Sequence, residues 1–350
     1  MKIIDLSLPI DDTLVETHDA KIERITHKAG VEHFNWVVMN KQPGGQERFD
    51  RGERVAAAEE IPDGEMLSLE IVHSSVHMGS HVDAPFHYWS MCEGKPAKQI
   101  MDIPLEWCYG PGVRLDFTHL RFPDAITKQH IIESLRKINY TLKSKDIVLI
   151  YTGGDKLLGT EDYVNKYVGM VPEAVEFLLD QGIKMIGIDT IGLDRPCFLM
   201  FKEFLSTKDK SKIWPCHFLG RQREFCHMER LGNLGAIPKP FGFTVSCLPV
   251  KVRNAGAGWA RDPSFRMRSG RKTADGRSQK AGRNPDPEPG WLCDCRAGFK
   301  APRSWGNLWD LPAWNARIED CQPCYRRTPS LFCAGGGAGM AEDGPGTQSG

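Results

Sequence analysis

The chain has 350 residues, enough for one large domain or two, and its formal net charge is zero because 45 basic residues balance 45 acidic ones. A balanced charge gives no reason to expect a nucleic acid or a membrane surface as a partner, so we expect small-molecule partners. The first six of the eleven cysteines are scattered without the spacing of a disulfide framework, which favours reduced thiols in a cytoplasmic protein.

Strands and helices alternate in the predicted elements up to about residue 262. The chain opens on a predicted strand, because Asp5 interrupts the first apolar run and argues against a signal peptide. Strands are predicted at 2–8, 66–77, 113–117, 146–151, 184–188, 229–234 and 243–250. Helices are predicted at 127–138 and at 173–180, the second led by Pro172 and stopped by Gly182. Strands outnumber helices, which indicates a mixed α/β domain over residues 1–262.

Residues 263–350 differ in composition, with basic residues set among Gly, Ser and Pro and no apolar period. Such a segment cannot readily bury enough apolar surface to offset chain ordering, so we expect a largely disordered or atypical C-terminal extension. Its C-x-C and C-x-x-C pairs are Cys293, Cys295, Cys321 and Cys324. Two alternatives stay open: the pairs form a small zinc site, or the extension is translated without a selected fold.

The run from 77 to 87 places all its imidazoles and its carboxylate at odd positions. These polar residues are His77, His81, Asp83 and His87. An extended chain sends alternate side chains to opposite faces, so we expect the four to converge, with Val82, Ala84 and Phe86 on the packed face. Gly79 and Pro85 argue against a continuous helix and for a strand that runs into a loop.

This set of side chains is typical of a metal site. Two neutral imidazoles and a carboxylate suit a divalent ion such as Zn²⁺ or Mn²⁺, and a fourth group nearby can move protons. A histidine that hydrogen-bonds within a core is the better interpretation of any single member. For the whole set the metal is favoured, because burying four titratable groups on one face without a cation costs several kcal/mol.

Other catalytic signatures are missing from the sequence. No serine lies in a G-x-S-x-G elbow, which disfavours a serine-triad hydrolase. The glycines at 110–112 and 153–154 match neither the phosphate-binding loop nor the dinucleotide fingerprint. Further metal ligands are expected from 215–217 and 226–231, which contain His217 and Glu229. Taken alone, Glu229 is better interpreted as a surface carboxylate beside Arg230, and His217 as a capping or core histidine.

The run from 77 to 87 resembles the H-x-G-T-H-x-D-x-P-x-H signature of the cyclase family, whose members include bacterial kynurenine formamidases and isatin hydrolases. The resemblance covers residues 1 to about 262 and continues through 150–153, 187–190 and 233–234, as well as His217 and Glu229. It implies a swivelling β/β/α domain with a strand-rich mixed sheet, found as a homodimer or a higher oligomer such as a tetramer.

The resemblance also implies roles for individual residues. His77, His81 and Asp83 would bind one metal ion. Asp83, His217 and Glu229 would bind a second in members with two ions, and His87 would be the general acid/base. This chain departs from the family pattern at Ser80, where Thr is usual, at Gly154, where many members have Trp, and over 191–194. We expect these departures to affect what is bound rather than whether chemistry occurs.

The expected function is therefore metal-dependent hydrolysis of a carbon–nitrogen amide bond, in an aryl formamide or a cyclic amide. A bound ion would activate water, and His87 would take the proton and return it to the leaving group. The alternatives are a lactone hydrolase, a metal-dependent dehydratase or cyclase of a biosynthetic pathway, and a non-catalytic metal-binding protein. His87 beside a full ligand set argues against the last, since a binding module needs no proton shuttle.

Overall fold

A nine-stranded mixed sheet is the centre of the fold. The structure, a computed structural model, describes residues 3–15 and 20–261, together with the backbone of 263–265. The strands are β1 Ile3–Asp5, β2 Lys21–Ile25, β3 Leu69–His73, β4 His81–Asp83, β5 Met91–Cys92, β6 Lys95–Pro96, β7 Tyr109–Asp116, β8 Ile147–Tyr151, β9 Met185–Ile188, β10 Cys226–Glu229, β11 Phe241–Ser246, β12 Ala257–Trp259 and β13 Pro263–Phe265.

The strands of the large sheet follow the order β1-β13-β11-β7-β8-β9-β10-β4-β12. Strands β7 to β10 are parallel to their neighbours within this group, and the remaining pairings in the sheet are antiparallel. Two small antiparallel pairs, β2 with β3 and β5 with β6, lie outside the sheet. The sheet is therefore mixed, and its parallel part requires crossover connections.

Helices supply these crossovers. The α-helices are α1 His27–Asn40, α2 Gly45–Asp50, α3 Pro85–Tyr88, α4 Lys128–Lys137, α5 Glu161–Asn165, α6 Pro172–Asp180, α7 Cys197–Thr207 and α8 Pro215–Phe218. Single 3-10 turns lie at Ala58–Glu60, Pro62–Gly64, Ile100–Asp102, Leu105–Trp107, Gly154–Leu157, Lys210–Lys212, Leu219–Arg221 and Leu234–Ala236. Among the described residues, none of the helices has the length and apolar character that crossing a membrane requires.

The core lies on both faces of the central strands. In β8, Val148 and Ile150 pack into one apolar cluster with α4 and α6, whereas Ile147 and Leu149 pack into a second cluster on the other face. A strand covered on both faces has a continuous apolar sequence. The predictions of the strands β8 and β9 are confirmed for this reason. The predictions of the helices α4 and α6 are confirmed too, and all four elements agree within one residue at either end.

Other predicted elements differ from the structure. The strand predicted at 66–77 is limited to Leu69–His73, and the strand predicted at 229–234 is wrong, because β10 ends at Glu229. Beyond that point Arg230 and Asn233 have φ values of 59° and 58°, in the left-handed region, which stops the strand. The sequence prediction did not include α1 and α7.

The sheet also includes three residues of the expected extension, because β13 pairs with β1 and β11. The described residues fall within one compact unit, Met1–Lys272. The predictions for the rest of the extension, including a zinc site at its cysteine pairs, concern residues outside those that the structure describes.

Truncation tests the domain boundary. We expect a chain that ends at residue 272 to keep the melting temperature and metal content of the full chain. A chain that ends at 262 should melt at a lower temperature, because β1 and β11 lose the strand between them. Thermal unfolding followed by circular dichroism measures both. A 1–272 chain that is unfolded at room temperature would show that the domain needs its extension.

Candidate metal centre

Two antiparallel strands, β4 and β10, bring four polar side chains to one face of the sheet. In the register of this pair, Asp83 lies opposite His227 and His81 lies opposite Glu229. Residues directly opposite each other project from the same face. The residues between them, Val82 and Met228, are fully buried in the apolar cluster on the other face. Because side chains alternate along both strands, one face carries the polar residues of the site and the other carries the apolar residues of the core.

His77 and His87 also lie next to Asp83, although neither belongs to β4 or β10. His77 lies in the turn before β4, where Gly79 has a φ of +63°, and His87 lies in α3. The Nδ1 atom of His77 is 3.0 Å from Oδ1 of Asp83, and the Nε2 atom of His87 is 3.8 Å from Oδ2 of the same carboxylate. The predicted convergence on Asp83 is therefore present.

The predicted reason for this convergence is wrong outside β4. Only His81–Asp83 is a strand, because the chain turns at Gly79 and Pro85 begins the single-turn helix α3. As a result Phe86, which strict alternation places on the packed face, is 38% exposed.

The buried His217 comes from α8, and Asp194 sets its orientation. The Asp194 carboxylate accepts a hydrogen bond from Nδ1 of His217 at 2.6 Å, and from the backbone N–H groups of Cys216 and His217 at 2.7 and 3.1 Å. The other ring nitrogen, Nε2, lies 3.7 Å from Oε1 of Glu229. Burial alone would lower the pKa of His217, but the hydrogen bond and charge of Asp194 raise it to about 9.

The potential ligand atoms form two groups that share Asp83. In each group the atoms lie within 4.8 Å of one another. The groups are His77, Asp83 and His87, and Asp83, His217, His227 and Glu229. His81 is close to both carboxylates, since its Nε2 lies 3.4 Å from Oδ1 of Asp83 and 3.7 Å from Oε2 of Glu229. All the residues predicted to be metal ligands are thus brought together around Asp83 and Glu229.

Buried polar atoms at this point have no hydrogen-bond partner among the described residues. They are Nε2 of His81 and both side-chain oxygens of Asp83, and both residues are fully buried. Imidazole nitrogens lie 3.0–3.8 Å from the Asp83 oxygens, but none combines the distance and the angles of a hydrogen bond to them. An unsatisfied buried polar atom costs free energy, and a carboxylate costs more than a neutral group. A divalent cation would satisfy all three atoms at once, so the residues present fit a metal ion.

The protonation states also suit a cation. Burial would raise the pKa of Asp83, but the imidazoles of His87 and His81 hold it well below its usual range. Burial likewise opposes ionisation of Glu229, and the adjacent His227 lowers its pKa to about 2. Burial lowers the pKa of His81. Ionised carboxylates and a neutral His81 are forms that bind a divalent ion, whereas His217, whose pKa is raised to about 9, would release a proton when metal binds.

Sequence reasoning missed His227. The stretch 226–231 was expected to supply a ligand, but only Glu229 was assigned a role. The signal was present, because His227-Met228-Glu229 repeats the alternation of His81-Val82-Asp83.

The hydroxyl of Ser80, the residue that replaces the usual Thr, accepts from the backbone N–H of Leu8 and donates to the carbonyl of Arg230. This departure therefore keeps a hydroxyl that joins distant segments beside the site.

Replacing Asp194 with Asn tests the orientation of His217. We expect the affinity for Zn²⁺ to fall by about 10- to 100-fold, because an amide cannot accept all three hydrogen bonds and the ring loses its fixed orientation. Competition with a chromophoric chelator measures the affinity. Asp124→Asn, in an exposed turn, is the matched control. Equal affinities in the Asp194 variant and the native chain would remove Asp194 from this role.

Comparisons with known proteins identify the family of this chain. The sequence model of the cyclase family, described as "Putative cyclase", matches residues 4–195, more than half of the chain. The kynurenine formamidase of Paracidovorax citrulli is 28% identical over 191 residues, which are 55% of this chain and 76% of that protein. The kynurenine formamidase of Bacillus cereus is 26% identical over 124 residues, 34% of this chain and 50% of that protein. The chain thus spans about half the length of the Bacillus relatives that it matches.

The fold agrees as well. Isatin hydrolase A from Labrenzia aggregata, in a structure bound to benzyl benzoate, superposes with a TM-score of 0.55 at 21% identity and covers 76% of this chain and 93% of that one. This similarity confirms the predicted fold class. The family match confirms the resemblance that the run from 77 to 87 indicates, although it ends at residue 195, before His217, His227 and Glu229. The chain belongs to the cyclase family.

Proposed function

We propose that this protein is a metal-dependent hydrolase that cleaves a carbon–nitrogen amide bond in an aryl formamide or a cyclic amide. The observation that carries the proposal is the Asp83 carboxylate, which is fully buried, has both oxygens unsatisfied, and is surrounded by imidazoles and a second carboxylate. The names of the relatives, kynurenine formamidase and isatin hydrolase, support the choice of bond. The partner would be a small molecule.

His77, His81 and Asp83 would hold one divalent ion, Zn²⁺ or Mn²⁺, and Asp83, His217 and Glu229 would hold a second. Such an ion supplies Lewis acidity when bound, which lowers the pKa of water toward neutrality and polarises a carbonyl oxygen. His81 is oriented for its role, because Nδ1 donates to the carbonyl of Gly79 at 2.9 Å and leaves Nε2 to face the carboxylates.

His87 would be the general acid/base. Its side chain is 34% exposed, so it can exchange protons with solvent, whereas His81 and His227 are fully buried. Partial burial lowers the pKa of His87 to about 4, despite the opposing charge of Asp83. The ring is therefore neutral at pH 7 and can accept a proton. It would then return that proton to the leaving nitrogen.

Elemental analysis of the purified chain, combined with a small substrate panel, tests the proposal. The panel contains an aryl formamide of the formylkynurenine type, a cyclic amide of the isatin type and an aryl lactone. We expect bound divalent metal and hydrolysis of one of the two amides, lost on chelation and restored by adding Zn²⁺ or Mn²⁺. Preference for the lactone would favour the alternative hydrolase. Full activity in a metal-free sample would contradict the whole mechanism.

A further inference from the structure

We infer that His227 is an additional ligand at the buried metal position, and that the hydroxyl of Tyr88 holds its ring in the tautomer that binds metal. The inference rests on the proposed function, because it adds a residue to the group formed by Asp83, His217 and Glu229. It would make this position one with two imidazoles and two carboxylates, a donor set suited to Zn²⁺.

The first observation is where Nε2 of His227 lies. It is 2.8 Å from Oε1 of Glu229 and 3.3 Å from Oδ2 of Asp83. The ring of His217 is 4.8 Å away, centroid to centroid, and nearly perpendicular at 89°. The His227 side chain is fully buried, so water does not reach this nitrogen from the surface. Nε2 therefore belongs to the same cluster of donor atoms as the ligands that the family resemblance implies.

The second observation concerns the opposite edge of the ring. Nδ1 of His227 is 2.8 Å from the hydroxyl oxygen of Tyr88, and that hydroxyl donates to the backbone carbonyl of Asp83 at 3.2 Å. A carbonyl can only accept, so the single hydroxyl proton is used there and the tyrosine oxygen accepts from Nδ1–H. Without metal, the 2.8 Å contact of Nε2 with Oε1 of Glu229 requires a proton on Nε2, because a carboxylate can only accept. Metal binding would displace that proton, and a ring that keeps its proton on Nδ1 then offers the Nε2 lone pair to the ion.

The third observation is that Tyr88 cannot easily move. It is 2% exposed, and its ring stacks on His227 at 5.4 Å and 13° and on Phe225 at 5.0 Å and 25°. On another side lies Gly220, where an added Cβ would be 2.1 Å from Cδ2 of Tyr88, so only glycine fits against the ring. A supporting side chain fixed by packing keeps its partner in the productive orientation before metal arrives.

Another interpretation is that His227 only balances the charge of Glu229. In such an ion pair both ring nitrogens carry protons, so Nε2–H donates to Glu229 and Nδ1–H donates to the Tyr88 hydroxyl, but the ring binds no metal. The two interpretations therefore differ in what the loss of that hydroxyl does to metal binding. Under our inference it weakens binding, whereas under the ion-pair interpretation the affinity for metal stays unchanged.

The experiment uses the full chain and two variants, Tyr88→Phe and His227→Gln. Zn²⁺ is titrated against a chromophoric chelator to give the number of bound ions and the affinity of each. We expect Tyr88→Phe to weaken the buried position by about 10- to 100-fold, and His227→Gln to weaken it further, with the other position little changed. Tyr140→Phe is the matched control, because it removes a hydroxyl that donates to Asp146 at 3.0 Å and does not contact the cluster.

A spectroscopic measurement separates ligation from a structural effect. With Co²⁺ in place of Zn²⁺, we expect the visible absorption bands of His227→Gln to shift, since one nitrogen donor is lost. Native affinity and an unchanged Co²⁺ spectrum in both variants would overturn the inference and leave the proposed function standing. Failure of the native chain to bind Zn²⁺ or Co²⁺ would overturn both. If His227→Gln does not fold, Tyr88→Phe decides the question from its affinity alone.

Discussion

Asp83→Asn is expected to lose bound metal and hydrolytic activity together. Asp83 belongs to both groups of ligand atoms, and both its oxygens are buried without hydrogen-bond partners among the described residues. Asn keeps the size of the side chain but removes the negative charge that attracts a cation. We expect metal content to fall from stoichiometric to near zero, measured by elemental analysis, with turnover reduced to the background rate.

Two further variants and a control make this result specific. His77→Ala should weaken only the position beside the turn, and His217→Ala only the buried position, because each belongs to one group. Asp116→Asn is the control, since this exposed carboxylate accepts from Thr118 and lies outside both groups. An Asp83→Asn protein that keeps full activity after exhaustive chelation would end the case for a metal-dependent reaction.

Local spacing explains why part of the site could be predicted from sequence. His81 and Asp83 are two residues apart in a strand, so their common face follows from backbone geometry alone. The same rule applies to His227 and Glu229, but that strand was predicted to begin where it in fact ends. Missing the strand therefore meant missing His227.

Tertiary contacts explain what the sequence could not supply. The hydrogen bond between Asp194 and His217 spans 23 residues, and the bond between Tyr88 and His227 spans 139. Neither hydrogen bond follows from a periodic pattern in the sequence. The convergence of His77 and His87 on Asp83 was predicted from strand alternation, but a turn and a helical turn, rather than one long strand, bring them there.

In the fold, too, elements with a local sequence pattern were predicted, whereas those that depend on distant contacts were not. The central strand β8 was predicted because it is buried on both faces and reads as an apolar run. Helix α7 was missed, since Phe198 and Leu205 are 45% and 60% exposed and blur the apolar face that marks a helix. The insertion of β4 between β10 and β12 depends on segments far apart in the chain, so neither pairing follows from local pattern.

His87→Ala is expected to lower turnover by about 10²- to 10⁴-fold while the protein keeps its metal. His87 lies at the edge of the cluster, and its ring nitrogen is 3.8 Å from Asp83, farther than the 3.0 Å of His77. The lowered pKa of about 4 keeps the ring unprotonated at neutral pH, so it is free to accept a proton. In the native chain the rate should therefore fall as the pH drops toward that value, and this dependence should be absent from the variant.

The competing role for His87 is metal ligation, because His77, Asp83 and His87 also lie close enough to share an ion. Metal content decides between the two roles, since a lost ligand lowers it and a lost proton carrier does not. Imidazole added to the His87→Ala protein should restore part of the rate, because the 34% exposed position leaves an opening that a free base can enter. His119→Ala, at an exposed position away from the cluster, should leave rate and metal unchanged. An unaltered rate in His87→Ala would remove His87 from proton transfer, and the neighbouring His77 would become the next candidate.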